Sequence, residues 1–278
     1  MSGKWRIDLG IPAVLAFRGP DAVRFLNGQI TQDVRKVVGS DLSLPACVTD
    51  AKGKLQFRIG ILENDGAVWV IGGTESAEAL EARITRYLIA DDVEVENLTG
   101  RYALVHFIGE SGDVPPGVIA RKSTRFHEAG VDCLVPVEEA LHFQDVPELA
   151  GDALEHFRIL RGVPEWGVEL LEGMLPPEAG LDATDISYQK GCYIGQEVIS
   201  RIKSAGKVNR KLTRLRVPAT VTKPGTLFAA EGEAGHLTSI SPIAIDGKKP
   251  ALGYIRRGAL EEADWFADEA RTLPVTAV

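Results

Sequence analysis

One cysteine in the chain is set among residues that could make it reactive. Cys192 lies in the run Lys190-Gly191-Cys192-Tyr193-Ile194-Gly195-Gln196-Glu197. The glycines on either side allow close backbone approach or unusual dihedrals. From Gln196 through Glu197, Val198, Ile199 and Arg201 the residues suit a helix, so Cys192 stands just before a helix N-terminus. Lys190 is two residues away. A positive helix end and a neighbouring ammonium both favour thiolate over thiol, the usual recipe for a reactive cysteine. The competing reading is an inert core thiol, because cysteine is among the most commonly buried residue types.

Two further groups of residues could bind a ligand. Trp166-Gly167 precedes Pro176-Pro177-Glu178-Ala179-Gly180, so an aromatic ring is followed twelve residues later by a carboxylate in a constrained loop. A pterin-like ring needs an aromatic face and an acceptor for its amino and ring N–H groups, and this pair could supply both. A core tryptophan and a surface glutamate are the plainer alternative. The second group is basic. Residues 190–216 hold Lys190, Arg201, Lys203, Lys207, Arg210, Lys211, Arg214 and Arg216 against the single acid Glu197, a net of +7 in a chain of −8. Such a stretch suits a polyanion: nucleic acid, phosphate or the carboxylates of a polyglutamylated cofactor. It suits a solvated linker equally well. No aromatic residue follows Tyr193 within the stretch, so base stacking has no platform, which argues against direct RNA contact.

The overall composition narrows the remaining classes. The chain has 278 residues, 45% hydrophobic and 25% charged, as in an ordinary globular protein of about two domains. A net charge of −8 excludes a surface that is basic throughout. No run of about 18 apolar residues occurs, so no membrane span is expected. The first nine residues carry Lys4, Arg6 and Asp8 and have no apolar signal core, so the expectation is a cytoplasmic protein. Three widely spaced cysteines, Cys47, Cys133 and Cys192, fit a reducing compartment. The five histidines, at 106, 127, 142, 156 and 236, form no i, i+4 pair, and no protein-built metal site is expected.

The elements that must position these residues follow from pattern. Gly19-Pro20-Asp21 opens an amphipathic helix carrying Ala22, Phe25, Leu26 and Ile30. Ala46–Thr49 leads through Asp50-Ala51-Lys52-Gly53 into Leu55–Leu62, and Asn64-Asp65-Gly66 turns that strand into Val68–Ile71, an antiparallel meander. Residues 76–90 form a second helix with Leu80, Ile84, Tyr87 and Leu88 on one face. Val93–Val95 and Tyr102–Ile108 read as strands, and Pro115-Pro116-Gly117 as a turn. Asp152–Arg161 is a helix closed by Gly162 and Pro164. Irregular alternation with hairpins predicts an α+β fold, not a doubly wound parallel sheet. There is no GxGxxG and no P-loop, so a nucleotide-binding reading has no support. Beyond residue 205, short runs at Leu212–Val217, Thr226–Ala230, Leu237–Ser241, Leu252–Arg256 and Leu273–Val278 predict a small β-barrel. The acidic segment Glu261–Ala270 is expected to be a surface helix. The domains are therefore placed at 1–204 and 205–278.

Taken together, these segments resemble the YgfZ family. The K-G-C-Y-I-G-Q-E run matches that family's K-G-C-[FY]-x-G-Q-E signature. Phe25-Leu26-Asn27-Gly28-Gln29-Ile30-Thr31-Gln32-Asp33 matches its F-L-x-G-Q-x-T-x-D. Arg161-Gly162-Val163-Pro164, Glu178-Ala179-Gly180-Leu181 and Arg201 add to the match. The resemblance implies the fold of the glycine-cleavage T-protein, with two intertwined α+β subdomains and a C-terminal barrel around a central folate pocket. It implies tetrahydrofolate or a derivative as cofactor, and a role in making or maintaining iron–sulfur enzymes, including those that modify tRNA. On the motif match, Trp166 and Glu178 are the pterin-facing aromatic and carboxylate. Gln196 and Arg201 join them as cofactor-binding candidates, and Cys192 with Lys190 is the candidate catalytic pair. Three lone cysteines cannot hold a four-cysteine cluster, so any contact with iron–sulfur proteins is expected to be transient.

The chain departs from the T-protein at one place that matters. There the corresponding hairpin carries a G-G-x-x-D-D sequence whose aspartate is central to aminomethyl transfer. Here the stretch is Gly53-Lys54-Leu55-Gln56-Phe57-Arg58, without a carboxylate. Glutamine cannot take up or carry charge as aspartate does, so aminomethyltransferase activity is not expected.

Overall fold

The structure, a computed structural model, describes residues 4–73, 76–109, 114–143, 145–230, 232–261 and 264–278. The chain divides into two compact units, residues 1–149 with 182–200, and residues 150–181 with 201–278.

The first unit holds two antiparallel sheets. Strands β1 (Trp5–Asp8), β2 (Ala13–Arg18), β3 (Leu44–Thr49), β4 (Leu55–Asn64), β5 (Ala67–Gly72), β6 (Glu94–Asn97), β7 (Tyr102–Ile108), β8 (Ile119–Ser123) and β9 (Gly130–Pro136) appear in that order. One sheet has the order β3-β4-β5-β2-β6 and the other β1-β7-β9-β8. The chain thus begins in the four-stranded sheet, leaves it for five strands and returns. Helices α1 (Ala22–Gln29) and α2 (Ala77–Thr85) belong to the five-stranded sheet. The strand β2 shows why. Its inner five residues are all buried, and strict alternation splits them between two cores. Leu15 and Phe17 join Phe25, Leu26, Leu80 and Ile84 from the helices. Val14 and Ala16 join Leu104, Ile119 and Leu134 from the four-stranded sheet. Fully burying a side chain such as Phe17 contributes about 1.5–3 kcal/mol, so this double-faced strand is a main source of the unit's stability.

The second unit is a closed six-stranded barrel and the segment packed with it. Its strands are β10 (Arg210–Pro218), β11 (Gly225–Ala229), β12 (Gly232–Ile240), β13 (Lys248–Arg256), β14 (Trp265–Phe266) and β15 (Pro274–Ala277), in the order β10-β13-β12-β11-β14-β15. Leu215, Val217, Leu227, Leu237, Ile255 and Trp265 fill it. The helix α3 (Gly151–Arg161) also belongs here, ended by Gly162 in the left-handed region at φ 68°. The helix α4 (Gln196–Ala205) carries the chain from one unit into the other.

Several expectations need correction. The barrel unit takes in residues 150–181 in addition to the tail placed at 205–278. The helix expected over Glu261–Ala270 is not there; residues 262–263 lie outside the described residues, and the remainder is β14 and a turn. Asp268 makes that turn, its carboxylate accepting from the N–H groups of Thr272 and Leu273, while Trp265 is drawn into the barrel core. The helix α2 stops at Thr85, five residues short of the expected end, leaving Tyr87 exposed beneath the guanidiniums of Arg83 and Arg86. Strands β1, β2, β8 and β9 have no counterpart in the sequence reading. Among the described residues, no helix is long and apolar enough to cross a membrane.

Candidate functional site

The K-G-C-Y-I-G-Q-E segment is built from alternating anchors. Lys190 is buried, and its Nζ donates to the carbonyl oxygens of Asn27, Ile30 and Gln32, each at 2.7 Å. The ammonium lies 5.1 Å from the ring centroid of Tyr193, which is also buried. The N–H of Ile194 donates to the carbonyl of Gly28 at 3.2 Å, and the Ile194 carbonyl accepts from Thr49 Oγ1 at 2.6 Å. Gly195 follows at φ 88°, where a Cβ would lie 2.5 Å from the carbonyl oxygen of Asp50. Only glycine fits that close approach. Gln196 then opens α4, half-buried, its N–H on the Tyr193 carbonyl. Between the inward Lys190 and the inward Tyr193, Gly191 and Cys192 are turned out, and Cys192 is exposed.

The lysine therefore does something other than what its spacing suggested. An ammonium has three N–H donors, and all three are committed to the backbone of the Asn27–Gln32 loop. Burial draws its pKa down to about 7, with the nearby Asp33 opposing that shift and Arg35 adding to it. The loop it fastens is the second signature, Phe25–Asp33. Thr31 Oγ1 donates to the Asp185 carbonyl at 2.6 Å and accepts from the Cys47 N–H at 2.8 Å. Gln32 Nε2 donates to the Thr184 carbonyl at 2.9 Å, Asn27 Oδ1 accepts from Val34 N–H, and Asp33 pairs with Arg35. Two motifs about 160 residues apart in sequence are thus one piece of structure.

Residues that sequence reasoning did not single out complete this support. Asp185, fully buried, accepts from Arg58 Nε at 2.7 Å and from Thr184 Oγ1 at 2.6 Å. Arg83 donates to Gln56 Oε1 at 2.6 Å, to Gln29 Oε1 at 3.2 Å and to the Thr49 carbonyl at 2.7 Å. Gln56 thus works as a neutral acceptor for a guanidinium. Arg83 could have been suspected from its i, i+4 spacing to Tyr87, whose ring it covers. Its long-range partners left no trace in local sequence.

The second unit holds Trp166, Glu178 and Arg201. Glu178 sits in the helical turn Pro176–Ala179 and is buried, with Oε2 accepting from Arg210 Nε at 3.0 Å. Among the described residues Oε1 accepts nothing. The Arg210 guanidinium in turn lies 4.5 Å from the ring centroid of Tyr254, whose hydroxyl donates to the Glu169 carbonyl at 2.8 Å. Trp166 is half-exposed, at 48%, on a tight loop in which the N–H groups of Val168, Glu169 and Leu170 all donate to the Glu165 carbonyl. Glu169 ties that loop down. Its Oε1 accepts from Thr238 and Ser239, and its Oε2 from Arg158 and from the Glu165 N–H. This buried carboxylate is saturated, and it fixes the loop carrying the tryptophan to the barrel strand β12. Arg201 lies on the exposed side of α4. Farther along the basic stretch, Arg214 and Arg216 face outward from β10 while Leu215 and Val217 face inward, so part of that charge is the solvated face of a barrel strand. Lys190, Cys192 and Gln196 thus form one contiguous segment of the first unit, and Trp166, Glu178 and Arg201 belong to the second.

Comparison with known proteins accords with this geometry. No protein-family model matches the chain. The tRNA-modifying protein YgfZ of an Escherichia coli O127:H6 strain is 26% identical over 234 residues, covering 75% of this chain and 70% of that protein. The protein of the same name from Klebsiella pneumoniae is 27% identical over 238 residues, covering 74% and 71%. A mitochondrial iron–sulfur cluster assembly factor IBA57 homolog of Pyricularia oryzae is 26% identical over 212 residues, covering 72% of this chain and 54% of that protein. Among solved structures, the glycine cleavage system aminomethyltransferase T of Bartonella henselae superposes with a TM-score of 0.79 over 99% of this chain and 85% of its own, at 17% identity. That likeness establishes the T-protein fold, with its α+β body and C-terminal barrel. The two signature segments, the relatives and the fold agree in one likeness: the chain is similar to the YgfZ family.

Proposed function

We propose that this protein is a tetrahydrofolate-binding accessory factor that supports the assembly or repair of iron–sulfur enzymes, including those that modify tRNA. The observation that carries the reading is the way the K-G-C-Y-I-G-Q-E segment is spent: Lys190, Tyr193, Ile194 and Gly195 are anchored inward, and the turn between them displays an exposed cysteine. A thiol displayed on so firmly anchored a turn suits transient contact with a client protein better than it suits an enclosed reaction. The names of the relatives point to the same processes, tRNA modification and iron–sulfur cluster assembly. The folate part rests on Glu178, buried and with only Oε2 accepting a hydrogen bond among the described residues, and on the half-exposed Trp166 ring held by Glu169. A pterin would donate its amino and ring N–H groups to the first and stack on the second. The cofactor would supply one-carbon or reducing chemistry.

The test is complementation in a bacterial strain lacking its own family member. The wild-type chain is expected to restore the activity of its iron–sulfur enzymes, and Cys192→Ala is expected to fail. Full restoration by Cys192→Ala would remove the thiol from the account. A folate-dependent one-carbon transferase is the second reading, favoured by the fold it shares with aminomethyltransferase T. Turnover of methylene-tetrahydrofolate with aminomethyl carrier protein, or of small N-methyl amines, would establish it in place of the first. The Arg83–Gln56 contact speaks against that outcome, because a neutral amide already engaged by a guanidinium offers no general base.

A further inference from the structure

The first unit contains a cavity of about 260 Å³ that none of the residues discussed as cofactor or catalytic candidates lines. Both sheets contribute to it. Leu44, Pro45, Ile59, Ile71 and Leu104 give it apolar walls, and Arg58 and Arg125 give it two guanidiniums. These two cations face one space. Arg58 and Gly60 are two residues apart on β4 and so point to the same side of the strand, about 7 Å apart. A Cβ built on Gly60 would lie 3.9 Å from Arg125 Nη2 and 3.8 Å from Ser43 Oγ. The glycine therefore leaves open the space that its neighbours' polar groups border.

Hydrogen-bond accounting sets the sign of what the cavity can hold. Asp132, also in its wall, is fully subscribed: Oδ1 accepts from His106 Nδ1 at 2.8 Å and Arg125 Nε at 3.1 Å, and Oδ2 from Arg125 Nη2 at 3.0 Å and Ser43 Oγ at 3.1 Å. A carboxylate with four donors has nothing left for a cation. Asp185 is sealed behind Arg58, with no exposed surface. Each arginine, by contrast, places only two of its five N–H groups on its carboxylate. Among the described residues the Nη1 groups of both donate to nothing, and their side chains are 20% and 30% exposed. The wall thus presents donors, and it presents them beside an apolar surface.

We propose that this cavity binds a small organic oxyanion, a carboxylate or phosphate group on a short apolar body, with the anionic group held between Arg58 and Arg125. Two fixed guanidinium forks are suited to such a group, and their paired carboxylates keep them in place before the ligand arrives. Carboxylate and phosphate share this chemistry, and the probes separate them. This inference stands apart from the folate reading, because it is read on the chain without folate.

The experiment is calorimetric titration of the full chain with benzoate, with phenyl phosphate and with benzamide, a neutral mimic of benzoate. At least one anion is expected to bind saturably, and benzamide at least about tenfold more weakly, since it lacks the charge the forks select. The variant Gly60→Val puts a β-branched side chain into the open space and is expected to abolish binding with its thermal unfolding unchanged. Arg125→Lys keeps the charge beside Asp132 and loses the fork, and it is expected to weaken binding by about tenfold. It serves as the second variant should Gly60→Val fold poorly. Absence of saturable heat with both anions, equal binding of benzamide, or wild-type binding by a folded variant would each overturn the proposal.

Discussion

Replacing Lys190 by methionine isolates what this lysine does. Methionine keeps an unbranched apolar stem of similar length and removes the three donors. The carbonyls of Asn27, Ile30 and Gln32 then lose their common partner in a place where water is scarce, since Lys190 is only 7% exposed. A buried acceptor left unsatisfied costs about 1–3 kcal/mol. Taking the lower end for each carbonyl, because two-lone-pair acceptors tolerate partial loss, the total is about 3 kcal/mol. The relief of no longer desolvating an ammonium works the other way, and it sets this figure near the bottom of its range. Urea unfolding of Lys190→Met and wild type at about pH 6, where lysine is charged in both folded and unfolded chains, measures the difference. Lys190→Arg is the companion variant: a planar fork cannot converge on three carbonyls as a rotatable ammonium does, so it is expected to recover only part of the loss. A Lys190→Met variant within about 1 kcal/mol of wild type would refute the claim that this lysine fastens the two signature segments.

The remaining predictions concern other parts of the support. For Asp132, burial alone would raise the pKa, but Arg125 and His106 outweigh it and hold the carboxyl well below the usual carboxylate range. The stability it contributes is therefore present above about pH 4 and lost as pH falls from there through its depressed folded-state pKa; acid unfolding of Asp132→Asn should show a flatter limb below pH ~4, and an unchanged limb would contradict the assignment. Gly195→Ala should destabilise by about 2 kcal/mol or more, since its Cβ would meet the Asp50 carbonyl at 2.5 Å. Gly191→Ala, with nothing within 4 Å, should stay within about 0.5 kcal/mol, and thermal unfolding of the two variants checks the contrast. Glu169→Gln should weaken the hold on the Trp166 loop, seen as faster quenching of tryptophan fluorescence by iodide, with no such change in a variant of the exposed Glu172.

Much of the fold was legible because it is written locally. The Asn64-Asp65-Gly66 turn, the alternation in β10 and the glycine after α3 each act through neighbours in sequence. What was missed depends on partners far away. The strand β9 carries Asp132 in its middle, a residue that breaks an apolar run, and only Arg125, His106 and Ser43 make its burial tolerable. The Glu261–Ala270 segment has helix-favouring composition, yet a carboxylate turn at Asp268 and the burial of Trp265 outweigh propensity. At the site, the motif identified which residues to examine and misled about one. Lys190 next to Cys192 in sequence suggests electrostatic activation, and the loop from Asn27 to Gln32 claims its donors instead. Glu169 and Arg210, which hold Trp166 and Glu178 in place, could not be told from ordinary surface charge.

The central claim is that this fold holds a reduced folate through Trp166 and Glu178. Calorimetric titration of tetrahydrofolate into the wild-type chain and into the Trp166→Ala, Glu178→Ala double variant tests it most directly. The account predicts saturable binding to the wild type and none to a variant that unfolds at the wild-type temperature. Equal binding to both, or no binding to the wild type, would contradict it.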